Sequence, residues 1–264
     1  MNDDQFRQIL DYFGMSWPGY RKVRKGVIKR LVRHMQKENV RDACDYMQRI
    51  RTQPALQRET RRLLTVSISS FFRDRFLWKY LGENLLPELL SQKPARVNVW
   101  SAGCALGQEA YSFVMLWRLL SDVAGPLPPL FLLATDMNRE YLETAASGFY
   151  TEKMLKEVPE DCLDRFFQFE NDCFVIRKDL RDGISWLHHD LSDVLPVQDP
   201  FHIIFMRNNL LTYCRKETHQ VPVKRVVDRL IAGGSLIVGA RERLSCDDFG
   251  LSGVCDCPGV YRKI

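Results

Sequence analysis

No stretch of this 264-residue sequence approaches the roughly 18 consecutive apolar residues of a transmembrane helix, which argues against a membrane span. The opening residues, Met1-Asn2-Asp3-Asp4, are polar and acidic, and we expect neither a signal peptide nor a transit peptide. The eight cysteines form no dense disulfide framework. These absences predict a reduced, cytoplasmic protein that does not insert into a membrane.

Histidine is also scarce, with five residues in the whole chain. The one local cysteine cluster, Cys246, Cys255 and Cys257, has C-x-C rather than C-x-x-C spacing and no paired histidines beside it. A structural zinc site needs four nitrogen or sulfur ligands at workable spacing. We therefore expect no bound metal and interpret the cysteines as free, partly buried thiols.

Charge is unevenly distributed along the chain. Residues 1–63 hold 15 Lys and Arg against 7 Asp and Glu, whereas the whole chain has a net charge of only +5. No acidic residue occurs between Asp11 and Glu38. At helical spacing, one face of this segment carries four cations, which we call the basic face: Lys22, Lys25, Lys29 and Arg33. This face is either a solvated helix surface or a docking surface for an acidic partner.

The pattern of apolar residues divides the chain into two parts. Residues 1–65 show helical spacing throughout, so we expect a small all-helical domain with the basic face. From residue 97 onward, continuous apolar runs alternate with helical patterns. This alternation is typical of an α/β fold with a mostly parallel, doubly wound sheet covered on both faces. We assign residues 66–264 to this second domain, with a small antiparallel β insertion at approximately 160–182.

Polar residues at the ends of the predicted strands mark the candidate site, because ligands of such sheets bind beyond the carboxyl ends of the strands. Gly103 and Gly107 follow the first strand, and Asp136 ends the second, where an acid can accept both hydroxyls of a ribose. The phosphate-binding motifs G-x-G-x-x-G and G-x-x-x-x-G-K-[ST] are absent. The layout favours a nucleoside ligand, although a glycine in such a turn is commonly required only by the conformation of the turn.

Several segments together resemble one family, the S-adenosylmethionine-dependent methyltransferases of the CheR type, which act on chemotaxis receptors. The segment 67–74, S-I-S-S-F-F-R-D, resembles the family's N-x-T-x-F-F-R-[DE]. The segment 100–112, W-S-A-G-C-A-L-G-Q-E-A-Y-S, resembles W-S-A-G-C-S-x-G-E-E-P-Y-S. The segments 134–138 and 145–150 resemble A-T-D-I-D and A-x-x-G-x-Y. The segment 206–214, M-R-N-N-L-L-T-Y-C, resembles C-R-N-V-L-I-Y-F, and Gly233-Gly234 begins a match to G-G-x-L-x-x-G-x-S-E.

The resemblance implies a class I methyltransferase fold and methyl transfer from S-adenosylmethionine to glutamate side chains of chemoreceptors, with S-adenosylhomocysteine as product. It implies that Glu109 and Arg73 hold the amino-acid end of the cofactor and that Asp136 binds the ribose. The other cofactor residues implied by matched position are Ser67, Ser69, Gly103, Asp190, Leu191, Arg207 and Asn208. Tyr213, with Arg73, is the implied catalytic residue, placed to orient the target carboxylate. A surface ion pair for Arg73 and a core position for Tyr213 remain the structural alternatives.

Several positions depart from the family pattern. Ser67 and Ser69 replace an asparagine and a threonine, and a serine hydroxyl cannot replicate both ends of an amide. Gln108 replaces the first acid of G-E-E, and His202 replaces an aspartate before the fourth strand. These departures keep a second hypothesis open, in which the chain binds the cofactor but does not catalyse.

The predicted β insertion bears on the partner. In some relatives a glycine-containing loop there captures a receptor C-terminal peptide, whereas the turn at 170–172, E-N-D, is short and lacks glycine. We therefore expect no tight tether to a receptor tail and assign docking on acidic receptor helices to the basic face. A nucleic-acid methyltransferase is the other alternative. The chain lacks both the [DNS]-P-P-[YFW] and the Pro-Cys motif of those enzymes, so we expect no nucleic-acid partner. A monomer is the default.

Overall fold

The structure, a computed structural model, describes residues 1–67 and 69–264 and divides into two compact units. The first unit contains Met1–Val66 together with Asn208–Val223, and the second contains Ser67–Arg207 together with Lys224–Ile264. The first unit thus differs from the expected domain 1–65 by including a segment from the far end of the chain. That segment joins residues 11–20 through main-chain hydrogen bonds, which no local sequence pattern could reveal.

The first unit is all-helical. Its helices are α1 (Asp3–Tyr12), α2 (Trp17–Tyr20), α3 (Arg24–Lys37), α4 (Ala43–Thr52) and α5 (Pro54–Leu64). A capping box at Asn2 and Gln5 begins α1, and Asp42 caps α4 by accepting from two main-chain N–H groups. The apolar stripes of α1, α3 and α4 meet in one core, in which Phe6, Leu31 and Tyr46 are fully buried.

A buried polar chain joins α3, α4 and α5. Thr60 Oγ1 donates to the carbonyl of Leu56, so it accepts from Tyr46 Oη at 2.9 Å, and Tyr46 in turn accepts from His34 Nδ1 at 2.8 Å. Burial raises the pKa of Tyr46 to about 12, which keeps this hydroxyl protonated. The chain satisfies each buried group and fixes α3 against its neighbours.

The cations near α3 divide into two groups. Arg24 pairs with Asp3, and Arg30 donates to the carbonyls of Leu63 and Thr65, so both arginines hold the unit together. The four residues of the basic face are all exposed, and none forms an ion pair within the described residues. One detail of the helical prediction is wrong: Lys22 lies in the turn at 21–23 that precedes α3, so three of the four cations share the helix.

The second unit contains a seven-stranded sheet in the order β6-β2-β1-β7-β8-β10-β9. Its strands are β1 (Val97–Ala102), β2 (Leu130–Asp136), β6 (Ile184–His188), β7 (Phe201–Phe205), β8 (Leu230–Ile237), β9 (Leu251–Gly253) and β10 (Val260–Lys263). The first five strands of this order are parallel, and β10 pairs antiparallel with β8 and β9. Every residue of β1 is buried, as expected for the centre of a sheet covered on both faces. This confirms the predicted fold class.

The remaining elements of this unit either precede β1 or connect the strands. They are α6 (Arg75–Tyr80), a π-helical turn (Leu81–Leu85), α7 (Leu86–Ser91), α8 (Gln108–Ala124), α9 (Arg139–Ser147), a 3₁₀ turn (Glu152–Leu155), α10 (Glu160–Phe166) and α11 (Lys178–Arg181). Further along the chain are α12 (Leu210–Tyr213) in the first unit, α13 (Lys216–Asp228), whose residues belong partly to each unit, and α14 (Cys246–Phe249). No helix in the described ranges is long and apolar enough to cross a membrane.

The β insertion is a separate three-stranded antiparallel sheet in the order β3-β5-β4. Its strands are β3 (Phe149–Tyr150), β4 (Phe167–Glu170) and β5 (Cys173–Ile176). Asn171 and Asp172 alone connect β4 to β5, and both have positive φ, 49° and 59°. Such a two-residue turn suits the right-handed twist of a hairpin, and asparagine and aspartate tolerate it better than other non-glycine residues.

Candidate functional site

The candidate site lies at the carboxyl ends of the neighbouring parallel strands β6, β2, β1 and β7. The order of the strands reverses between β1 and β7, since the chain runs from β1 outward to β2 and β6 before returning to β7. Open α/β sheets bind ligands at such a switch point. Three sets of side chains lie there: those of the loop after β1, the acid at the end of β2, and the arginine after β7.

The loop between β1 and α8 folds back on the end of β2. The N–H groups of Gly103 and Cys104 both donate to the carbonyl of Thr135 at 2.8 Å. Gly107 has a φ of 83°, and a Cβ at this position would lie 2.8 Å from both Ala145 Cβ and the Trp186 ring. Glycine at 107 is therefore required for the loop to pack against its neighbours.

Asp136 anchors this loop through its carboxylate. Oδ2 accepts from the N–H of Ala105 at 2.9 Å, and Oδ1 accepts from the N–H of Asn138 at 2.9 Å. Burial raises the pKa of Asp136, as does the carboxylate of Asp190, while the two N–H donors oppose the rise. Each carboxylate oxygen keeps a lone pair beyond its main-chain bond, which is what a vicinal diol requires.

A buried ion-pair cluster connects α8, β7 and the segment before α6. Arg207 Nη1 lies 3.2 Å from Glu109 Oε2, and Nη2 pairs with Asp74. Glu109 also accepts from Ser101 Oγ at 2.7 Å. The side chain of Arg207 is only 4% exposed, and its Nε–H has no partner within the described residues. The cluster therefore contains a carboxylate that is partly exposed, that of Glu109, and a buried N–H donor without an acceptor in the described residues, Nε–H of Arg207.

The segment Phe71–Asp74 has a strained backbone. Phe72 and Asp74 have φ values of 46° and 64°, which are unusual for residues other than glycine. The N–H of Phe72 donates to Ser112 Oγ on α8 at 2.9 Å, and the carbonyl of Arg73 accepts from Trp78 and Arg207. These bonds hold Arg73, one of the predicted site residues, at the same cluster as Glu109. Arg73 is partly buried and takes part in a further interaction, so it is not free.

Asp190 and Leu191 follow β6. Asp190 Oδ1 accepts from both the N–H and the hydroxyl of Ser192, at 2.9 and 2.7 Å. Leu191 is buried and lines a cavity of about 200 Å³ with Trp100 and Val226. The structure thus places an acid and a buried apolar residue directly after β6, the strand next to β2 and Asp136.

The predicted residues after β7 belong to different units. Arg207 is in the second unit, whereas Asn208 and Tyr213 are in the first. The ring of Tyr213 contacts that of Tyr20 edge-on, with centroids 5.0 Å apart, and packs against the helical core. Aligned with the motif C-R-N-V-L-I-Y-F, Thr212 takes the place of the motif's tyrosine and Tyr213 that of its phenylalanine.

Ser67 and Ser69 are partly buried residues at the start of the second unit. Ile68 between them lies outside the described residues. Ser67 and Ser69 have no hydrogen bond in the described parts of the chain that would indicate a role.

Cys104 lies within the site but is not a nucleophile. Burial raises the pKa of its thiol well above the ordinary value, and the carboxylates of Asp136 and Glu109 add to the rise. The thiol therefore stays protonated at neutral pH and packs as a small apolar group.

Sequence reasoning missed three residues of the site: Asp74, Ser101 and Ser112. All three stand inside the quoted motifs but were assigned no role. Ser112 follows Glu109 by three positions, the spacing that places two residues on one helix face, and this could have indicated its proximity. Its partner, the N–H of Phe72, could not be identified from the sequence because a main-chain donor leaves no signature.

Comparison with known proteins gives a consistent result. The model of the family described as CheR methyltransferase, SAM binding domain, matches residues 67–255. A chemotaxis protein methyltransferase of Listeria monocytogenes is 31% identical over 192 residues, which are 72% of this chain and 71% of that protein. An uncharacterized 104.1 kDa protein of Rhodobacter capsulatus is 32% identical over 230 residues, 85% of this chain but only 24% of that protein.

Among solved structures, the N-methyltransferase NodS from Bradyrhizobium japonicum, in complex with S-adenosyl-L-homocysteine, aligns over 63% of each chain. The sequence identity is 17% and the TM-score 0.34, so the assignment rests on the sequence relatives. The cofactor that goes with the matched domain is S-adenosylmethionine. On these matches the chain belongs to the CheR family of S-adenosylmethionine-dependent methyltransferases.

Proposed function

We propose that this chain transfers the methyl group of S-adenosylmethionine to glutamate side chains of chemoreceptors, forming methyl esters. The observation that carries the proposal is the pair of carboxylates in a CheR-family domain, Glu109 at the start of α8, the helix after β1, and Asp136 at the end of the neighbouring strand β2. The relatives named as chemotaxis protein methyltransferases support the chemotaxis partner. Both the glutamate acceptor and the chemoreceptor are part of the proposal.

The residues present fit the cofactor. An S-adenosylmethionine molecule offers an ammonium group, a carboxylate, a ribose diol and a flat base. Glu109 is a partly buried carboxylate suited to the ammonium group, and Asp136 keeps lone pairs for the diol. The unpartnered Nε–H of Arg207 is a buried donor suited to an anionic acceptor, and such donors are costly to leave unsatisfied.

We assign roles on this basis. Glu109 and Arg73 would hold the amino-acid end of the cofactor, Asp136 the ribose, and Asp190 with Leu191 the base. Gly103, Arg207 and Asn208 would border the same ligand, together with Ser67 and Ser69. Tyr213 and Arg73 would orient the acceptor carboxylate. The cofactor supplies an electrophilic methyl group on a sulfonium.

No general base is required for this reaction. A glutamate with an ordinary pKa of about 4.3 is already ionised at pH 7 and can attack a methyl group directly. The residues of the site need only bind, orient and exclude water, and alignment of two reactants can itself supply much of the rate enhancement. The raised pKa of the Cys104 thiol fits this picture, since no thiolate competes for the methyl group.

We propose that the basic face docks the receptor. Its four cations are exposed and unpaired in the described structure, whereas neighbouring Arg24 and Arg30 are used internally. Charge complementarity to acidic receptor helices would speed the encounter of this chain with the receptor and fix the register in which the two proteins dock. The two-residue turn of β4 and β5 leaves no glycine-containing loop, so we expect no tight tether to a receptor tail. Micromolar capture of a tail peptide in a pull-down would refute that expectation. We further propose that the chain works as a cytoplasmic monomer.

The first test is calorimetric titration with S-adenosylhomocysteine, which requires no knowledge of the receptor. We expect micromolar binding that Asp136→Ala abolishes. Glu143→Gln, an exposed carboxylate on the helix after the same strand, is the control and should bind normally. Absence of binding up to millimolar ligand in the unaltered protein would overturn the proposal.

The second test measures base-labile methyl label on receptor cytoplasmic fragments. Label that is lost on mild alkaline treatment indicates a carboxyl methyl ester. The alternative hypothesis, a cofactor-binding protein without catalysis, is motivated by Ser67, Ser69 and by Thr212 at the motif's tyrosine position. Normal S-adenosylhomocysteine binding with no ester on any receptor would favour this alternative.

A further inference from the structure

We propose that the short helix α2 sets the conformation of residues 208–214, with Gly19 as a positioning residue for methyl transfer. The inference rests on the proposed function, because residues 208–214 follow strand β7 and include Asn208 and Tyr213. It concerns contacts within the first unit only, where both segments lie.

Main-chain bonds join the two segments. The N–H of Ser16 donates to the carbonyl of Tyr213 at 2.8 Å, and the N–H of Arg215 donates to the carbonyl of Gly14 at 2.9 Å. Between them, Met15 and Cys214 form an antiparallel β-bridge. Two such bonds in register fix both the position and the direction of the chain after Asn208.

Side chains reinforce this pairing at each end. Tyr20 and Tyr213 meet edge-on, and Arg215 forms an ion pair with Asp11. The segment Leu210–Tyr213 is a helix of a single turn, and an isolated turn of this length has no stability of its own. Its conformation therefore depends on what it packs against.

Close main-chain approach is the strongest sign of this dependence. A Cβ on Gly19 would lie 2.1 Å from the carbonyl oxygen of Thr212 and 3.0 Å from its carbonyl carbon. These are main-chain atoms, which cannot rotate aside as a flexible side chain would. Glycine at 19 is thus what allows α2 to lie directly against the peptide between Thr212 and Tyr213.

The consequence concerns the chemistry. Arg207 follows strand β7, and Asn208, the next residue, has a positive φ of 54°. From there to Tyr213 the chain is shaped by residues 14–20 of the helical unit. Strand β7 therefore does not by itself determine where Asn208, Thr212 and Tyr213 point.

The experiment compares Gly19→Ala with Gly26→Ala in the full chain. Gly26 is a matched control, because it lies on α3 and a Cβ there would meet nothing within 4 Å. For Gly19→Ala we expect amide hydrogen exchange of residues 208–214 to accelerate by about tenfold or more. Turnover on receptor should fall by about tenfold, with KM and S-adenosylhomocysteine affinity changed by no more than about threefold. Gly26→Ala should alter none of these values.

A second pair of variants keeps the test decisive if Gly19→Ala fails to fold. Asp11→Arg and Arg215→Asp each reverse one charge of an exposed ion pair, and the double variant restores it with the polarity exchanged. Each single change should raise exchange at 208–214 by about twofold to fivefold, and the double variant should recover most of the difference. If the single variants acted only by lowering the stability of the whole unit, the double variant would not restore the slower exchange at 208–214.

The results separate the two proposals. Exchange rates and cofactor affinity are measured without any receptor, so failure to find ester formation would count against the proposed function alone. Unchanged exchange at 208–214 in a folded Gly19→Ala protein would overturn the positioning role of α2. Equal acceleration of exchange across the whole first unit would also overturn it, because the effect would then be global unfolding.

Discussion

Arg207 and Glu109 form a buried ion pair, with Nη1 of the arginine 3.2 Å from Oε2 of the glutamate. Their side chains are 4% and 13% exposed, so neither charge is well solvated. Asp74 provides a second counter-charge to the same guanidinium. Buried charges are tolerated when they are paired. Removing one partner leaves the other charge buried without compensation for its lost hydration. The arrangement holds the Glu109 carboxylate in a fixed position before any ligand arrives.

This geometry predicts the effect of Glu109→Gln on cofactor binding. The amide oxygen can still accept from Ser101 Oγ and Asp74 still pairs with Arg207, so the local fold should persist, but the negative charge facing the cofactor's ammonium group is lost. Hydrogen bonds to charged groups contribute about 1.5–3 kcal/mol, which corresponds to a roughly tenfold to hundredfold loss of affinity. Calorimetric titration with S-adenosylhomocysteine measures this loss. Ser101→Ala removes only the supporting hydrogen bond and should have a smaller effect, so equal losses in the two variants would contradict the assignment.

Two glycines of the second unit allow the cost of backbone strain to be measured separately from the cost of steric crowding. Gly107 and Gly250 both have a left-handed backbone, with φ values of 83° and 63°, but a Cβ at Gly107 would meet Ala145 and Trp186, whereas at Gly250 it would meet nothing within 4 Å. Gly250→Ala should therefore cost only the left-handed backbone strain, about 1–2 kcal/mol in the free energy of unfolding. Gly107→Ala adds a steric clash and should cost more, by about 1–3 kcal/mol. Denaturant unfolding of both variants tests this, and equal losses would show that Gly107 is needed only for its φ.

Local patterns of the sequence were sufficient for much of the fold. The apolar spacing at Phe6, Ile9 and Leu10 predicts α1, and the continuous apolar runs at 130–134 and 201–206 predict two central strands. Both signals are local, because helical and strand periodicity depend only on neighbouring residues. The same reasoning placed Asp136 at a strand end, where the structure has it.

Long-range relationships could not be predicted in this way. The pairing of residues 14–16 with 213–215 joins segments about 200 positions apart and leaves no periodic signal. The shift of register between β7 and β8, near Gly233 and Gly234 of β8, is another relationship between distant segments. Glycine weakens strands because it has no side chain to pack, and the structure accommodates both residues at an irregularity in the ladder. The pairing of Asp74 with Arg207 likewise joins two segments that are far apart in the sequence, so no local spacing of residues predicts it.

His202 makes the stability of the second unit depend on pH. Its Nδ1 accepts from the N–H of Asn98 at 3.0 Å, so that nitrogen must be unprotonated in the folded protein. Burial lowers the pKa of His202, and the charge of Arg96 adds to the lowering. The folded state therefore binds fewer protons than the unfolded state. The contribution to stability is complete above the unfolded pKa of about 6.5 and is lost as the pH falls below it.

The variant His202→Gln tests this dependence. A glutamine carbonyl can accept from the N–H of Asn98 but does not titrate, so unfolding midpoints measured between about pH 7.5 and 5 should change less than in the unaltered protein. Some slope should remain, because burial also lowers the pKa of His189 and His219. An unchanged slope would mean that His202 is protonated without cost in the folded state.

The basic face should contribute to receptor docking but not to chemistry. Lys25 and Lys29 are exposed on α3 and have no ion-pair partner in the described structure, so Lys25→Glu/Lys29→Glu should leave the unit folded. We expect KM for receptor to rise by about tenfold at low ionic strength with kcat nearly unchanged, because rim charges act mainly on encounter. The difference should shrink as salt is added, since the Debye length falls from about 10 Å at 0.1 M to 3 Å at 1 M. Lys153→Glu/Lys156→Glu, an equal charge change at exposed positions of the second unit, is the control. A similar rise in KM for the control would show that net charge, rather than the basic face, governs docking.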